Sequence, residues 1–269
     1  MSNIVIRQLS TLDQLKNVQE LEKRIWGPHS LPIHQTITAV KNGGIILGAF
    51  DGPTLVGYLY SFAGFKAGEV YLCSHQMGID EVYRKQGIGY QLKMAQAKLA
   101  RDVGYRKIRW TYDPLEAHNA YLNIGKLGAI CSDYIENCYG PMNDDLNRGL
   151  PSDRFWVTWF TDGNEAISRQ NERDRNVSRR YADSIILQSK LQDGMPVAIE
   201  FDEIEADKSY LLVPIPTDFQ RIKRRSHDLA VEWRMFTRRV FTRAFQTGWT
   251  VVDTVRDQEI LYYVLQRLG

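Results

Sequence analysis

One unbroken stretch constrains this chain more than any other: "EVYLCSHQMGIDEVYRKQGIGYQLKMAQAKLARDVG", residues 69–104. Its first eleven residues read as a strand. After a short turn, Ile88, Leu92, Ala95, Leu99 and Val103 recur at helical spacing and line one face of a helix that ends near Gly104. Strand, turn and helix meet at residues 84–89, Arg-Lys-Gln-Gly-Ile-Gly. A turn that opens a helix leaves the first N–H groups of that helix without partners inside it.

Glycines at 87 and 89 let a ligand approach the main chain without meeting a Cβ. Free amides, the helix dipole and Arg84 together make a cradle for a pyrophosphate. The turn lacks the Lys-Ser/Thr of a nucleoside-triphosphate loop and has too few glycines for the dinucleotide fingerprint. A tight turn that uses glycine for its own geometry is the competing reading, and the surrounding order of elements bears on the choice.

The first 162 residues alternate strands and helices. "NIVIRQL" is a strand, and Ser10 or Thr11 can cap the helix "LDQLKNVQELEKRIW", where Leu15, Val18, Leu21 and Ile25 share a face. "PIHQTITAVKNGG" is a shorter helix stopped by paired glycines. "GIILGAFD" and "TLVGYLYSFAGF" make a hairpin across "DGP". Past the glycine turn, "KIRWTYDP" is a strand, "LEAHNAYLNIGK" a helix, and "AICSDYIENCYG" and "DRFWVTWF" two more strands. Residues 163–195 are polar and charged and read as a connecting segment with an exposed helix. Residues 196–269 suggest a smaller unit: strands "MPVAIEFD" and "SYLLVPIP", one long helix from about Asp218 to Gln246, and closing strands "WTVVDTVRD" and "EILYYVLQRL".

The charge balance, 34 basic against 32 acidic residues, gives no electrostatic reason to expect nucleic acid or a membrane surface as partner. The arginines of "RIKRRSH" and "RRVFTR" lie on several faces of one helix, which argues against a nucleic-acid stripe. Cys73, Cys131 and Cys138 form no CxxC pair, so reduced thiols in a cytoplasmic protein are expected, with no disulfide framework and no metal site. "MSNIVIRQLSTLDQL" lacks a basic leader with a long apolar run, so no secretory signal is expected. The longest apolar stretches fall short of the roughly 20 residues needed to span a bilayer.

"MGIDEVYRKQGIGYQLKMAQ" resembles the coenzyme A signature of the GNAT superfamily of N-acyltransferases, Gln/Arg-x-x-Gly-x-Gly/Ala, and the element order over residues 1–162 is similar as well. The resemblance implies an α+β GNAT fold, a mixed and mostly antiparallel sheet with flanking helices, here followed by the smaller C-terminal α/β unit with its long helix. It implies that acetyl-CoA or another acyl-CoA is the co-substrate. The amides of Gln86, Gly87, Ile88 and Gly89, with Arg84 and Lys85 beside them, would hold its pyrophosphate. Met77, Gly78 and Ile79 would pair with the pantetheine arm as another strand does. "SHQMGI", "WTYDPLEAHNAYLNIGKLGA", "YGPMNDDLNRGLPSDRF" and "AVEWRMFTRRVF" look like a group of two-part bacterial GNAT proteins, some associated with acylation of amino acids and with succinyl-CoA as a donor.

Acyl transfer to an amine needs a neutral amine, a polarised thioester carbonyl and a proton for the leaving thiolate. His75 is the base candidate, and period-two alternation places it on the face of Met77 and Ile79. A histidine hydrogen-bonded into the sheet is the alternative. The family's usual acid is a tyrosine at the position of Ile124 here. Tyr121, nearly one turn earlier, is the substitute, with water as the other source of the proton. Asn119 and Asn123, i and i+4 on the helix, and Lys126 are candidates for the pantetheine and a CoA phosphate, with capping or surface roles as alternatives. Arg154, beside Asp153, and the pair Arg234 and Arg238 are candidate contacts for an anionic acceptor. Arginines tying the two parts of the chain together are the competing reading. The expected function is transfer of an acetyl or succinyl group to the primary amine of a small metabolite, an amino acid first. A catalytically inactive CoA-binding sensor is the alternative. The oligomeric state stays open, a homodimer included.

Overall fold

The computed structural model describes residues 3–28, 30–142, 144, 147–162, 184–199 and 208–268. The chain divides into two compact units: Met1–Trp110 with Phe160–Gly163, and Thr111–Trp159 with Asn164–Gly269.

In the first unit, β1 (Ile4–Gln8), β2 (Ile45–Asp51), β3 (Thr54–Lys66), β4 (Glu69–Ile79) and β5 (Lys107–Tyr112) lie side by side in chain order. Successive neighbours are antiparallel, except that β4 and β5 run parallel around the crossover helix α3 (Ile88–Asp102). Helix α1 (Leu12–Trp26) starts at Thr11. The Thr11 hydroxyl accepts the Gln14 N–H, and the Gln14 side chain accepts the Thr11 N–H. Leu15, Val18 and Leu21 of α1 pack on Ile46, Tyr58 and Tyr60, with α2 (Ile33–Lys41) adding Ile37. A Cβ at Gly57, the neighbour of Tyr58 in β3, would touch Ile88 of α3, so α3 covers the opposite face.

Helix α3 is turned from its expected orientation. Val103 is 61% exposed, while Lys93 and Gln96 are buried with Ile88, Leu92 and Ala100. Two polar side chains take the place of part of the apolar stripe because a hydroxyl on β4 waits for them.

In the second unit the order is β7 (Arg154–Phe160), β6 (Ile130–Ile135), β12 (Trp249–Asp257), β13 (Ile260–Arg267), β11 (Tyr210–Pro216) and β8 (Ser184–Ile186). β9 (Ser189–Gln192) and β10 (Met195–Ala198) pair separately. The ring of Phe155 packs edge-on against Phe241 at 4.7 Å and Tyr263 at 5.2 Å.

Two helices differ from the sequence reading. The expected single helix from Asp218 to Gln246 is α5 (Phe219–Arg225) and α6 (His227–Gln246), because Ser226 is extended and its hydroxyl accepts the Leu229 N–H to start a new helix. The expected helix over 115–126 is α4 (Ala117–Ala120) followed by a π-helical turn, Tyr121–Lys126, in which Leu127 N–H reaches back five residues to Leu122. Residues 163–183 of the expected connecting segment and 200–202 of the expected strand "MPVAIEFD" lie outside the described residues. Among the described residues, no helix is long and apolar enough to cross a membrane.

Candidate active site on β4 and the turn into α3

β4 leaves the sheet through a short 3-10 turn, Glu81–Tyr83, opened by the Asp80 carboxylate accepting the Val82 N–H. Lys85 and Gly87 both take the left-handed conformation, at φ of 63° and 79°. A Cβ at Gly87 would meet nothing within 4 Å. The glycine answers the backbone's dihedral and not a lack of space. Gly87 caps α3 without any side-chain hydrogen bond, and Arg84, Lys85, Gln86 and Gly87 are exposed. The positive end of a four-turn helix thus faces outward with two basic residues beside it. Arg84 donates from Nε to the Ile79 carbonyl at 3.3 Å, and Gln86 from Nε2 to the Val82 carbonyl at 3.2 Å. The first bond ties the turn to the end of β4 and the second ties it to the 3-10 turn.

β4 has one free side. It pairs with β3 through Ile79, but meets β5 only at Leu72 with Ile108 and Cys73 with Arg109 among the described residues. From Ser74 onward the two parallel strands part, which leaves the edge of Met77, Gly78 and Ile79 able to accept another extended chain.

His75 sits in a bulge. Gln76 pairs with Tyr60 and Ser74 with Ser61, so His75 is the extra residue. This corrects the expected facing. Met77 and Ile79 lie opposite Leu59 and Gly57 on the α3 face, whereas His75 packs on the rings of Tyr60 at 5.9 Å and Phe62 at 5.7 Å on the α1 face. An inserted residue breaks the period-two count and brings His75 to the side of Gln76. The aromatic packing lowers the His75 pKa by withholding water from the charged ring, although the residue stays exposed, and so favours the neutral imidazole.

Two buried ionisable groups flank this bulge, and the sequence reading missed both. Glu22, 4% exposed, accepts the Leu31 N–H at 3.1 Å and a bond from the Gln76 side chain; burial raises its pKa. Lys93, 3% exposed, donates to the Ser74 hydroxyl at 2.8 Å. The available signal for Lys93 was its i+3 partner Gln96, a polar pair next to Leu92 in the helix.

The remaining predicted residues belong to the second unit. Tyr121 is 44% exposed, with the Lys126 ammonium 5.3 Å from its ring centroid. Asn119 is exposed, whereas Asn123 and Ile124 are buried. The asparagines therefore do not present a shared i, i+4 pair, because the π turn intervenes. Arg154, Arg234 and Arg238 are brought together. Arg234 bonds the Asp113 carboxylate, which Arg154 approaches to 3.6 Å. Arg238 grips Asp153 through two nitrogens at 2.9 and 2.7 Å. Asp153 also accepts the Tyr134 hydroxyl and the Asn137 N–H. Burial pushes the Asp153 carboxyl up, but these four donors outweigh it and the pKa is lowered. The arginines thus meet carboxylates of the chain itself.

Residues 12–125 match the model of the acetyltransferase (GNAT) family. Among solved structures, the ribosomal-protein-S18-alanine N-acetyltransferase from Escherichia coli is 15% identical, with a TM-score of 0.48 over 60% of this chain and 97% of that one. A GNAT family acetyltransferase from Elizabethkingia anophelis with acetyl-CoA bound is 20% identical, with a TM-score of 0.46 over 60% and 99%. Arabidopsis thaliana NAA60 in complex with acetyl-CoA is 16% identical, with a TM-score of 0.47 over 59% and 99%. No curated protein matches. Over residues 12–125 the chain is thus similar to the acetyltransferase domain of the GNAT family, and its α+β fold continues into further C-terminal strands and helices.

Proposed function

We propose that this chain moves an acetyl or succinyl group from an acyl-CoA to the primary amine of a small metabolite, an amino acid first, in the cytoplasm. The observation that carries this reading is the exposed, uncapped start of α3, entered through left-handed Gly87 from a strand with one open edge. The amides of Gln86, Gly87, Ile88 and Gly89 would hold the diphosphate, with Arg84 and Lys85 supplying charge. The main chain of Met77, Gly78 and Ile79 would pair with the pantetheine. Asn119, Asn123 and Lys126 remain candidates for the same ligand, Tyr121 for the acid, and Arg154, Arg234 and Arg238 for the acceptor. The amino-acid acceptor is supported by the resemblance carried by "SHQMGI" and "YGPMNDDLNRGLPSDRF". The compartment is supported by three cysteines outside any disulfide.

His75, whose packing favours the neutral imidazole, would accept the proton of the amine as its nitrogen attacks the thioester carbonyl. The carbon–sulfur bond then breaks directly, with no acyl group passing through the enzyme. Isothermal titration of acetyl-CoA and succinyl-CoA into the protein tests the seating. Binding is expected, weakened about tenfold by Arg84→Ala, a loss of about 1.4 kcal/mol. Absence of binding at millimolar ligand would remove the proposal.

A further inference from the structure

Past the last rung between β4 and β5, the next residues are Ser74 and Trp110. One side chain reaches both. Lys93 of α3 places its Nζ 2.8 Å from the Ser74 Oγ and 3.6 Å from the centroid of the Trp110 ring. Gln96 offers its Oε1 to Lys93 at 3.4 Å and donates from Nε2 to the Ser74 Oγ at 3.1 Å. Lys93, Ser74 and Gln96 are all buried. A buried ammonium ordinarily lies against a carboxylate, yet no ion pair among the described residues includes Lys93. Packing alone gives no reason to keep an amine there.

The hydrogen bonds at Ser74 add a direction. A hydroxyl oxygen has two acceptor sites and one proton. Lys93 and Gln96 fill both acceptor sites, so the Ser74 proton is left to donate to a third group. That group has to lie where the strands part, and the chain supplies no acceptor there among the described residues. Ile124, at the position where the resemblance expects a tyrosine acid, is a buried hydrocarbon with no proton to give.

We propose that Ser74 and Lys93, in place of Tyr121, are the acid of the acyl transfer: the Ser74 hydroxyl protonates the departing CoA thiolate and is reprotonated by the Lys93 ammonium. The inference rests on the proposed seating of acyl-CoA along β4. As the acceptor nitrogen bonds to the acyl carbon, the electron pair of the carbon–sulfur bond leaves on sulfur. Sulfur takes the Ser74 proton, the serine oxygen takes one from Lys93 Nζ, and Lys93 is left as a neutral amine. The proton shed by the acceptor nitrogen goes to His75 and then to water. Lys93 regains its own from solvent once the free thiol has left. Products are an amide and a thiol, and nothing else is consumed. Burial lowers the Lys93 pKa to about 7, with the Cys73 thiol on β4 pulling the other way, so the ammonium yields its proton to a thiolate readily. Gln96 on α3 and Trp110 on β5, the neighbours from the other two elements, carry no charge.

The test needs no knowledge of the acceptor. Isothermal titration at pH 8 compares CoA with desulfo-CoA, which lacks the sulfur, on the wild type, Lys93→Met and Ser74→Ala. The wild type should bind CoA about tenfold tighter, because the Ser74 hydroxyl, held in place by Lys93, makes a hydrogen bond to the sulfur that desulfo-CoA lacks. Both variants should lose that preference and keep the wild-type affinity for desulfo-CoA. Equal binding of the two ligands by the wild type, or a preference that survives in both variants, overturns the inference and leaves the CoA seating in place. A wild type that binds neither ligand overturns the seating, and this inference with it. Should Lys93→Met fail to fold, Ser74→Ala, the smaller change, decides alone.

Discussion

A single inserted residue in β4 separates the groups proposed to handle protons. The bulge turns His75 onto Tyr60 and Phe62, while Ser74 faces Lys93 across the sheet. His75→Ala should lower kcat about 100-fold with the affinity for acyl-CoA unchanged, since general base catalysis contributes roughly that much or more. A variant as fast as the wild type would make His75 a packing residue. Because burial lowers the His75 pKa, the acid limb of the pH–rate profile should fall below the ordinary imidazole value. Lys93 makes an independent prediction about stability. Its folded-state pKa, about 7, lies below the ordinary 10.5, so the unfolded chain binds the extra proton between those values. Stability is therefore fully present above pH 10.5 and declines as pH falls toward 7. Lys93→Met should remove that decline and raise stability at pH 7 by about 2 kcal/mol, the scale seen when uncompensated buried charge is replaced by apolar volume. Urea unfolding at pH 7 and pH 10 measures both effects.

Element boundaries were readable wherever a local signal sets them. Thr11 and Gln14 close a capping box that the spacing of α1 anticipates, and the paired glycines stop α2 close to where expected. Gly87 is a local matter too. Gly87→Ala should cost about 1 kcal/mol, the expense of forcing an L-residue to a left-handed φ, although no atom stands in its way. A thermal shift of a few degrees checks it, and no shift would mean the turn relaxes. Ser226 was harder to see because arginines and apolar residues continue through it at helical spacing. Its hydroxyl nonetheless restarts the helix, and Ser226→Ala should destabilise the fold by about 1 kcal/mol on chemical denaturation. The π turn at Tyr121–Lys126 left no periodic trace at all. One extra residue per turn is a choice among hydrogen bonds, and the sequence holds no marker of which carbonyl an amide will reach.

At the scale of the whole chain, the arginines of α6 do structural work that their own segment does not disclose. Arg234 meets Asp113 across 121 residues and Arg238 meets Asp153 across 85. Asp113→Ala should destabilise the protein by about 3–5 kcal/mol, because it strands a buried guanidinium. A loss under 1 kcal/mol in urea unfolding would show that water replaces the carboxylate. The Asp153 pKa is lowered, so its share of stability is present above the ordinary carboxylate value and disappears as pH falls through the folded-state pKa.

The sequence by itself determined the strand, the glycine turn, the helix and the order of elements around them, because dihedral preference and apolar period are properties of neighbouring residues. It could also nominate His75 from chemistry alone. Only the tertiary structure decided which way His75 faces, which polar side chains the core admits, and which carboxylates the arginines meet. Those outcomes depend on a register shift between strands and on contacts between residues far apart in the chain. Neither leaves a pattern in a local stretch of sequence.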